Sequence, residues 1–359
     1  MDISLMAVLV GFLLPWQTRW MIHVPMVGGA VWDFGILSIF LSQAVLALWL
    51  GYTMFVERKQ IQEKIHAILR DRNYRVGIFF SIIFLITQFC VSANRLLTLQ
   101  WMLSVILLAG LGIVLHGDKK ARVPFVAAFC ISVVLQSLLA AAQIFTNVTF
   151  ASSMLGVAAH KASELGTIVN VYGGVRYLRA YGGEPHPNIF GALTFMGLIL
   201  FNWLLTFKRT LGVKKNIIQY VLLITSALFF SFSRAVWIGL LFWILLLWRE
   251  KSRVKLRESQ KTMLSWCALT FGVMLIIFFP IVASRVDANS YTEQQSLTSR
   301  MSGVATWRDI FSSHWITGTG VGAYSAVLDK SVMLVYWEQR YFFLRCVRLN
   351  FRQNCRSHF

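Results

Sequence analysis

Residues 217–248 read IIQYVLLITSALFFSFSRAVWIGLLFWILLLW, apolar nearly throughout and broken by one charge, Arg234, inside Ser231-Phe232-Ser233-Arg234-Ala235. Basic residues close the stretch on both sides: Lys208, Arg209, Lys214 and Lys215 before it, and Arg249, Lys251, Arg253, Lys255 and Arg257 after. Lysine and arginine gather on the cytoplasmic side of membrane segments, so two basic ends on one face predict a helical hairpin with Arg234 at the opposite face. The returning arm, Ala235 to Trp248, covers roughly 21 Å at 1.5 Å per residue. A hydrocarbon core of about 30 Å is thicker than that. The turn is therefore expected below the membrane surface, and Arg234 with it. A guanidinium at that depth costs roughly 3 kcal/mol or more unless it faces water, protein or an anion. It either snorkels from a short loop or forms a buried cationic site, and the depth of the turn favours the second.

The rest of the chain fits that setting. It has 359 residues, of which 57% are hydrophobic, with repeated uncharged runs long enough to cross a bilayer, which predicts an all-α polytopic membrane protein. Lipid leaves backbone groups unsatisfied in open sheets, so the spans must be helices. A net charge of +19 would suggest nucleic acid in a soluble protein. Here most of the basic residues sit in short loops between apolar runs, so the charge reports topology, and the surrounding partner is membrane lipid rather than nucleic acid. Cys90, Cys130 and Cys267 fall in separate spans, while Cys346 and Cys355 lie near the chain end, so no disulfide framework is expected. Seven scattered histidines offer no metal-ligand spacing, and no cofactor or metal is expected.

Ile3 to Pro15 is a weak first span or the remnant of one. Phe34 to Val56 reads as a span. Glu57 to Arg75, with six lysines and arginines, belongs in the cytoplasm. Val76–Ser92 and Leu96–Leu115 form a hairpin around Asn94-Arg95, Val123–Phe145 crosses outward, and Ile189–Phe207 crosses back. The Arg234 hairpin follows, and Met263–Ala283 crosses outward again. The count is about nine spans with the amino terminus inside, or eight with it outside, and two external loops. Residues 1–283 thus form a transmembrane domain containing an external loop at 146–188, and residues 284–330 begin a larger one. Residues 331–359 scatter arginines among aromatics with no helical or strand period and read as out-of-frame translation or a premature stop.

Three external arginine sites stand out: Arg176 and Arg179, Arg234, and Arg300 with Arg308 beside Trp307. The fixed fork of a guanidinium matches phosphate oxygens and keeps its charge, so several of them at the membrane boundary suit a lipid-linked diphosphate. Each alone also fits an ordinary solvated arginine. In Glu184-Pro185-His186-Pro187-Asn188, each proline pushes the preceding residue out of helical geometry, so Asn188 is expected to cap a helix from Ile189. His186 reads as structural or as substrate-binding, and Glu184 as an acceptor-binding or basic group. The spans hold no Asp, Glu, Lys or Arg away from their ends, unlike ion-coupled transporters.

These residues resemble the O-antigen ligase and polymerase family of bacterial inner-membrane glycosyltransferases. The likeness lies in Arg179-Ala180-Tyr181-Gly182 leading to His186-Pro187-Asn188 before a span, in Ser233-Arg234-Ala235 within a hairpin, and in Arg300 and Trp307 upstream of Gly318-Thr319-Gly320-Val321-Gly322. It covers roughly Phe34 to Asp329. The resemblance implies an all-helical enzyme that transfers a glycan from undecaprenyl diphosphate to an acceptor sugar, such as lipid A core, at the periplasmic face, without metal or nucleotide. Arg234 and Arg300 would hold the diphosphate as catalytic residues, with Arg179, Arg176, Glu184 and His186 around the substrate. A late histidine would be the base. Two departures stand out: His314-Trp315 replaces the usual His-Pro, and nothing after Gly322 resembles the family's His-Asn segment and closing spans. The chain as written is therefore expected to insert but not to transfer. A polymerase shares the chemistry and differs in acceptor. A small-anion transporter, with the arginines as a selectivity site, is the rival from another class.

Overall fold

The computed structural model describes residues 3–24, 26–27, 30–31, 35–164, 166–207, 216–249, 256–286 and 291–323. Its helices are α1 Ile3–Leu13, α2 Leu41–Val56, α3 Arg58–Arg70, α4 Arg72–Val91, α5 Arg95–Leu115 and α6 Lys119–Thr146. They continue with α7 Pro187–Leu204, α8 Ile217–Phe230, α9 Arg234–Arg249, α10 Glu258–Ile277, α11 Phe279–Val286 and α12 Tyr291–His314. Among the described residues the β-structure consists of short two-stranded ribbons, chiefly the antiparallel pair Val169–Tyr172 with Val175–Leu178.

The mostly helical fold agrees with the sequence, but the count of nine spans is not reached. Among the described residues five helices, α4, α5, α6, α7 and α10, are long and apolar enough to cross a membrane. The shortfall has a physical cause in helix breaks. The expected span from Phe34 starts its helix only at Leu41 and runs 16 residues, and α8 and α9 run 14 and 16. At about 1.5 Å per residue these reach about 24 Å or less, below the thickness of a hydrocarbon core. The arms flanking Arg234 are thus both short. The tail at 331–359 and the basic residues Lys208, Arg209, Lys214, Lys215, Lys251, Arg253 and Lys255 lie outside the described residues.

The chain divides into two compact units. The first comprises Met1–Trp20, Ile39–Ile65 and Leu107–Gly303. Its centre is α6, against which α1, α7 and α8 pack. Two glycines permit this closeness: a Cβ on Gly11 of α1 would collide with the Phe125 carbonyl, and one on Gly197 of α7 would sit 2.9 Å from Val133. Gly11 lies beside Phe125 and Pro15 accepts from Gln136 Nε2 at 3.1 Å, so α1 and α6 run in the same direction. Segments that charge assigns to one side do meet. Lys64 Nζ donates to Val114 O at 2.8 Å, Arg122 lies 5.3 Å above the Trp203 ring, and Gln260 Nε2 donates to Asn202 Oδ1 at 3.3 Å. At the other end Gln17, the loop between α6 and α7, and the α8–α9 turn come together.

The second unit comprises Met21–Ser38, His66–Ile106 and Val304–Phe359. Asp71 caps α4 by accepting from Asn73 N at 2.8 Å. The Gly-rich run docks on the α4–α5 turn: Ala93 N donates to Thr319 O at 3.0 Å, and Thr98 Oγ1 to Val321 O at 2.9 Å. Gly320 has φ +87 and its missing Cβ would lie 2.6 Å from Ser92 Cα, so both backbone shape and space demand glycine there. The segment 284–323 carries the 24-residue α12 rather than loop alone.

Candidate functional site

The site is built from the loop between α6 and α7. Asn147 ends α6 in the left-handed conformation, φ 55, and its Oδ1 accepts from Leu178 N at 3.0 Å, which ties the far end of the ribbon back to the helix. The ribbon turns at Gly173-Gly174, φ +58 and +79, where two positive φ values match a tight hairpin. Val169 and Leu178 pack with Ala162 and Tyr181 in a small buried cluster. Arg176 donates from Nε to Ala162 O at 2.5 Å and from Nη2 to Glu164 O at 3.1 Å. It braces its own loop, with two of the five N–H donors of its fork given to backbone carbonyls.

Past the ribbon the chain dips into the bundle, held by two glutamines. Gln143 Nε2 donates to Gly182 O at 2.7 Å, and its Oε1 accepts from Gly182 N at 2.9 Å and Tyr181 N at 3.3 Å. Gln136 Oε1 accepts from Gly183 N. Seven residues apart on α6, the two lie on one helical face. Both are buried. Gly182, φ +58, leaves no room for a Cβ between Phe190 and Gln136. The two amides were legible in the sequence as polar residues inside a span; their spacing of seven was the signal that they serve one partner.

Arg179 is 4% exposed. Its Nε and Nη2 donate to Ser231 O at 2.8 and 2.5 Å, and Nη2 also to Asn188 Oδ1 at 2.7 Å. Ser231 follows the last residue of α8, and Arg234 is the first residue of α9 and half-buried. The turn between them holds Phe232 at φ 48, among Phe229, Phe230 and Trp237. Gly191 of α7 lets the turn approach, since a Cβ there would lie 2.6 Å from Ser231 Oγ. A guanidinium at the start of a helix, where backbone N–H groups and the dipole add positive potential, suits an anion.

His186, not Asn188, caps α7. Its Nδ1 accepts from Asn188 N at 3.0 Å, and Pro187 takes the first helical position, where a missing N–H costs nothing. The Asn188 side chain turns to Arg179 instead. Burial, and then the nearby Arg179 charge, hold His186 below the usual imidazole range, which suits an acceptor Nδ1.

Glu184 is 6% exposed and its Oε2 accepts from Gln17 Nε2 at 2.8 Å. Burial pushes its carboxyl up to about 7, against the lowering effect of the Gln17 bond. The folded carboxyl thus holds its proton more tightly than the unfolded one, which titrates at 4.5. Stability from protonated Glu184 is complete below pH 4.5, falls as pH rises from 4.5 to about 7, and is gone above that. The whole change is on the order of 3 kcal/mol, at about 1.36 kcal/mol per pH unit. Glu184→Gln should flatten the fall in thermal midpoint across that window; an unchanged slope would assign the titration to another group.

Arg179, Glu184, His186 and the turn leading to Arg234 therefore share one end of the first unit, while Arg176 sits back on the ribbon. Arg300 lies in α12 with its side chain outside the described residues. Arg308 and Trp307 are exposed on α12, where Trp307 stacks on Phe311 at 4.8 Å. His314 Nδ1 lies 3.2 Å from Ile310 O, one turn back in its own helix. Gln17, Gln136, Gln143, Asn188 and Ser231 complete the assembly. The chain matches no family model, no curated protein and no solved structure.

Proposed function

We propose that this chain is an O-antigen ligase-like glycosyltransferase of the bacterial inner membrane, taking a glycan from undecaprenyl diphosphate to an acceptor sugar such as lipid A core at the periplasmic face. The observation that supports it most is the buried arrangement at one end of the first unit. There the arginine-bearing loop closes on the α8–α9 turn through Arg179 and Ser231, three residues before Arg234. In the reaction an acceptor hydroxyl oxygen bonds to the anomeric carbon as the bond from that carbon to the diphosphate oxygen breaks. The electron pair leaves on undecaprenyl diphosphate, and the hydroxyl proton passes to a base. Arg234 and Arg300 would stabilise the charge gathering on the leaving group, a large electrostatic contribution where donors are already in place. The resemblance calls for a late histidine as base, which has no assigned counterpart in this chain. Glu184, buried on the same loop with a carboxyl near neutrality, has the acidity to stand in for it. Without such a base the chain would bind the donor but not transfer the glycan.

The test is ligand discrimination by the purified chain in detergent. Undecaprenyl diphosphate should bind at least about tenfold tighter than undecaprenyl monophosphate, because a second phosphoryl group adds charge-assisted hydrogen bonds. Equal affinities, or binding of neither lipid, would rule the reading out.

A further inference from the structure

Arg179 looks, from sequence, like one more cation for a ligand. Its surroundings are different. The side chain is almost wholly buried, and Nε and Nη2 converge on one carbonyl, that of Ser231. The backbone continues the contact, with Ala180 N donating to Phe230 O at 2.9 Å. Those two carbonyls belong to the end of α8, where helical partners run out and the dipole favours a cation. Immediately afterwards Phe232 adopts φ 48, a conformation that residues with a Cβ rarely take. Such a conformation persists only where the surroundings hold it. The second arm of the clamp, Nη2 to Asn188 Oδ1, anchors it to the first turn of α7.

We propose that Arg179 is a positioning residue: it locks the Ser231-Phe232-Ser233 turn onto α7 and the loop, and so fixes where Arg234 stands, instead of touching the ligand itself. The functional half of this rests on Arg234 being the diphosphate-binding residue; the lock on the turn does not.

The test compares wild type, Arg179→Ala, and Arg179→Ala carrying an oxidised Ala180→Cys/Ala227→Cys pair, whose positions lie in one buried cluster. Amide exchange at Phe232 to Arg234 reports the turn, and calorimetric titration with inorganic pyrophosphate reports the anion site. Arg179→Ala should speed exchange and weaken pyrophosphate binding, each by about tenfold or more, as loss of charge-assisted hydrogen bonds would. The disulfide should recover most of both losses. Where Arg179→Ala does not fold, Asn188→Ala cuts one arm of the clamp and is read in the same way. Unchanged exchange in Arg179→Ala overturns the proposal. So does a disulfide that protects the turn yet leaves pyrophosphate binding weak, since Arg179 would then be a ligand contact. A loosened turn in Arg179→Ala with no pyrophosphate binding in any form supports the lock and removes the diphosphate reading instead.

Discussion

Undecaprenyl diphosphate should bind the Arg234→Lys protein about 10- to 100-fold more weakly than wild type, although the charge is kept. Hydrogen bonds to charged groups contribute about 1.5–3 kcal/mol each, and tenfold in affinity is about 1.4 kcal/mol. A guanidinium meets two phosphate oxygens with parallel N–H groups, whereas an ammonium meets them as a point charge. Losing one of those bonds gives the expected range. Arg234→Ala should fall further, because the anion would then face the helix start without its cation. The structure adds a reason for sensitivity to shape: Arg234 begins a helix straight after a constrained turn, so its Cα is held and a shorter or differently branched head cannot follow the ligand. Equilibrium binding of the lipid to detergent-purified variants at one ionic strength decides it. Wild-type affinity in Arg234→Lys would mean that the guanidinium geometry is not used, and wild-type affinity in Arg234→Ala would remove the residue from the site.

Much of the arrangement was legible from charge and hydropathy. The basic runs at 57–75 and 119–122 and the ends of the 217–248 stretch divided the helix ends into two sets, and the contacts Lys64–Val114 and Gln17–Glu184 each join members of one set. Helix length was not legible, because hydropathy does not register where a helix starts. Nothing in Phe34 to Phe40 is more polar than the residues that follow, yet Leu37–Phe40 is extended. Capping was misjudged for a related reason. The residue before Pro187, His186, is extended as expected, but residues 182–186 run through a turn and a bend. Pro187 is itself tolerated at the first helical position, which moves the cap back to His186. The direction of Arg179 could not be read at all. An arginine facing a ligand and one facing a helix end have the same sequence, and only the distance to Ser231 O separates them.

The other large effect belongs to a residue without charge. Gln143→Leu keeps the volume and apolar surface of α6 but leaves Gly182 O, Gly182 N and Tyr181 N without the partner each now has. A buried backbone group left unpaired costs about 1–3 kcal/mol, so the three together amount to about 3–9 kcal/mol if the loop stays in place. That is comparable with the stability of a small domain, and the loop has a cheaper course, which is to lift its Tyr181–Gly183 segment out of the bundle toward water. The segment is tied on both sides, by Ala180 N to Phe230 O and by Gln17 to Glu184, so lifting it must also disturb the Arg179 clamp one residue away. Gln143→Leu should therefore act at a distance: faster amide exchange from Ala180 to Glu184, new protease cleavage within the loop, and weaker capture of undecaprenyl diphosphate, with the α6 helix itself intact. Gln136→Leu, which strands Gly183 N and the Pro15 carbonyl, should do the same to a smaller degree. Exchange measured by mass spectrometry on both variants tests the order. If Gln143→Leu leaves the loop as protected as in wild type, the glutamine pair is not what holds it against the bundle, and the burial of Tyr181 and Ala180 must suffice.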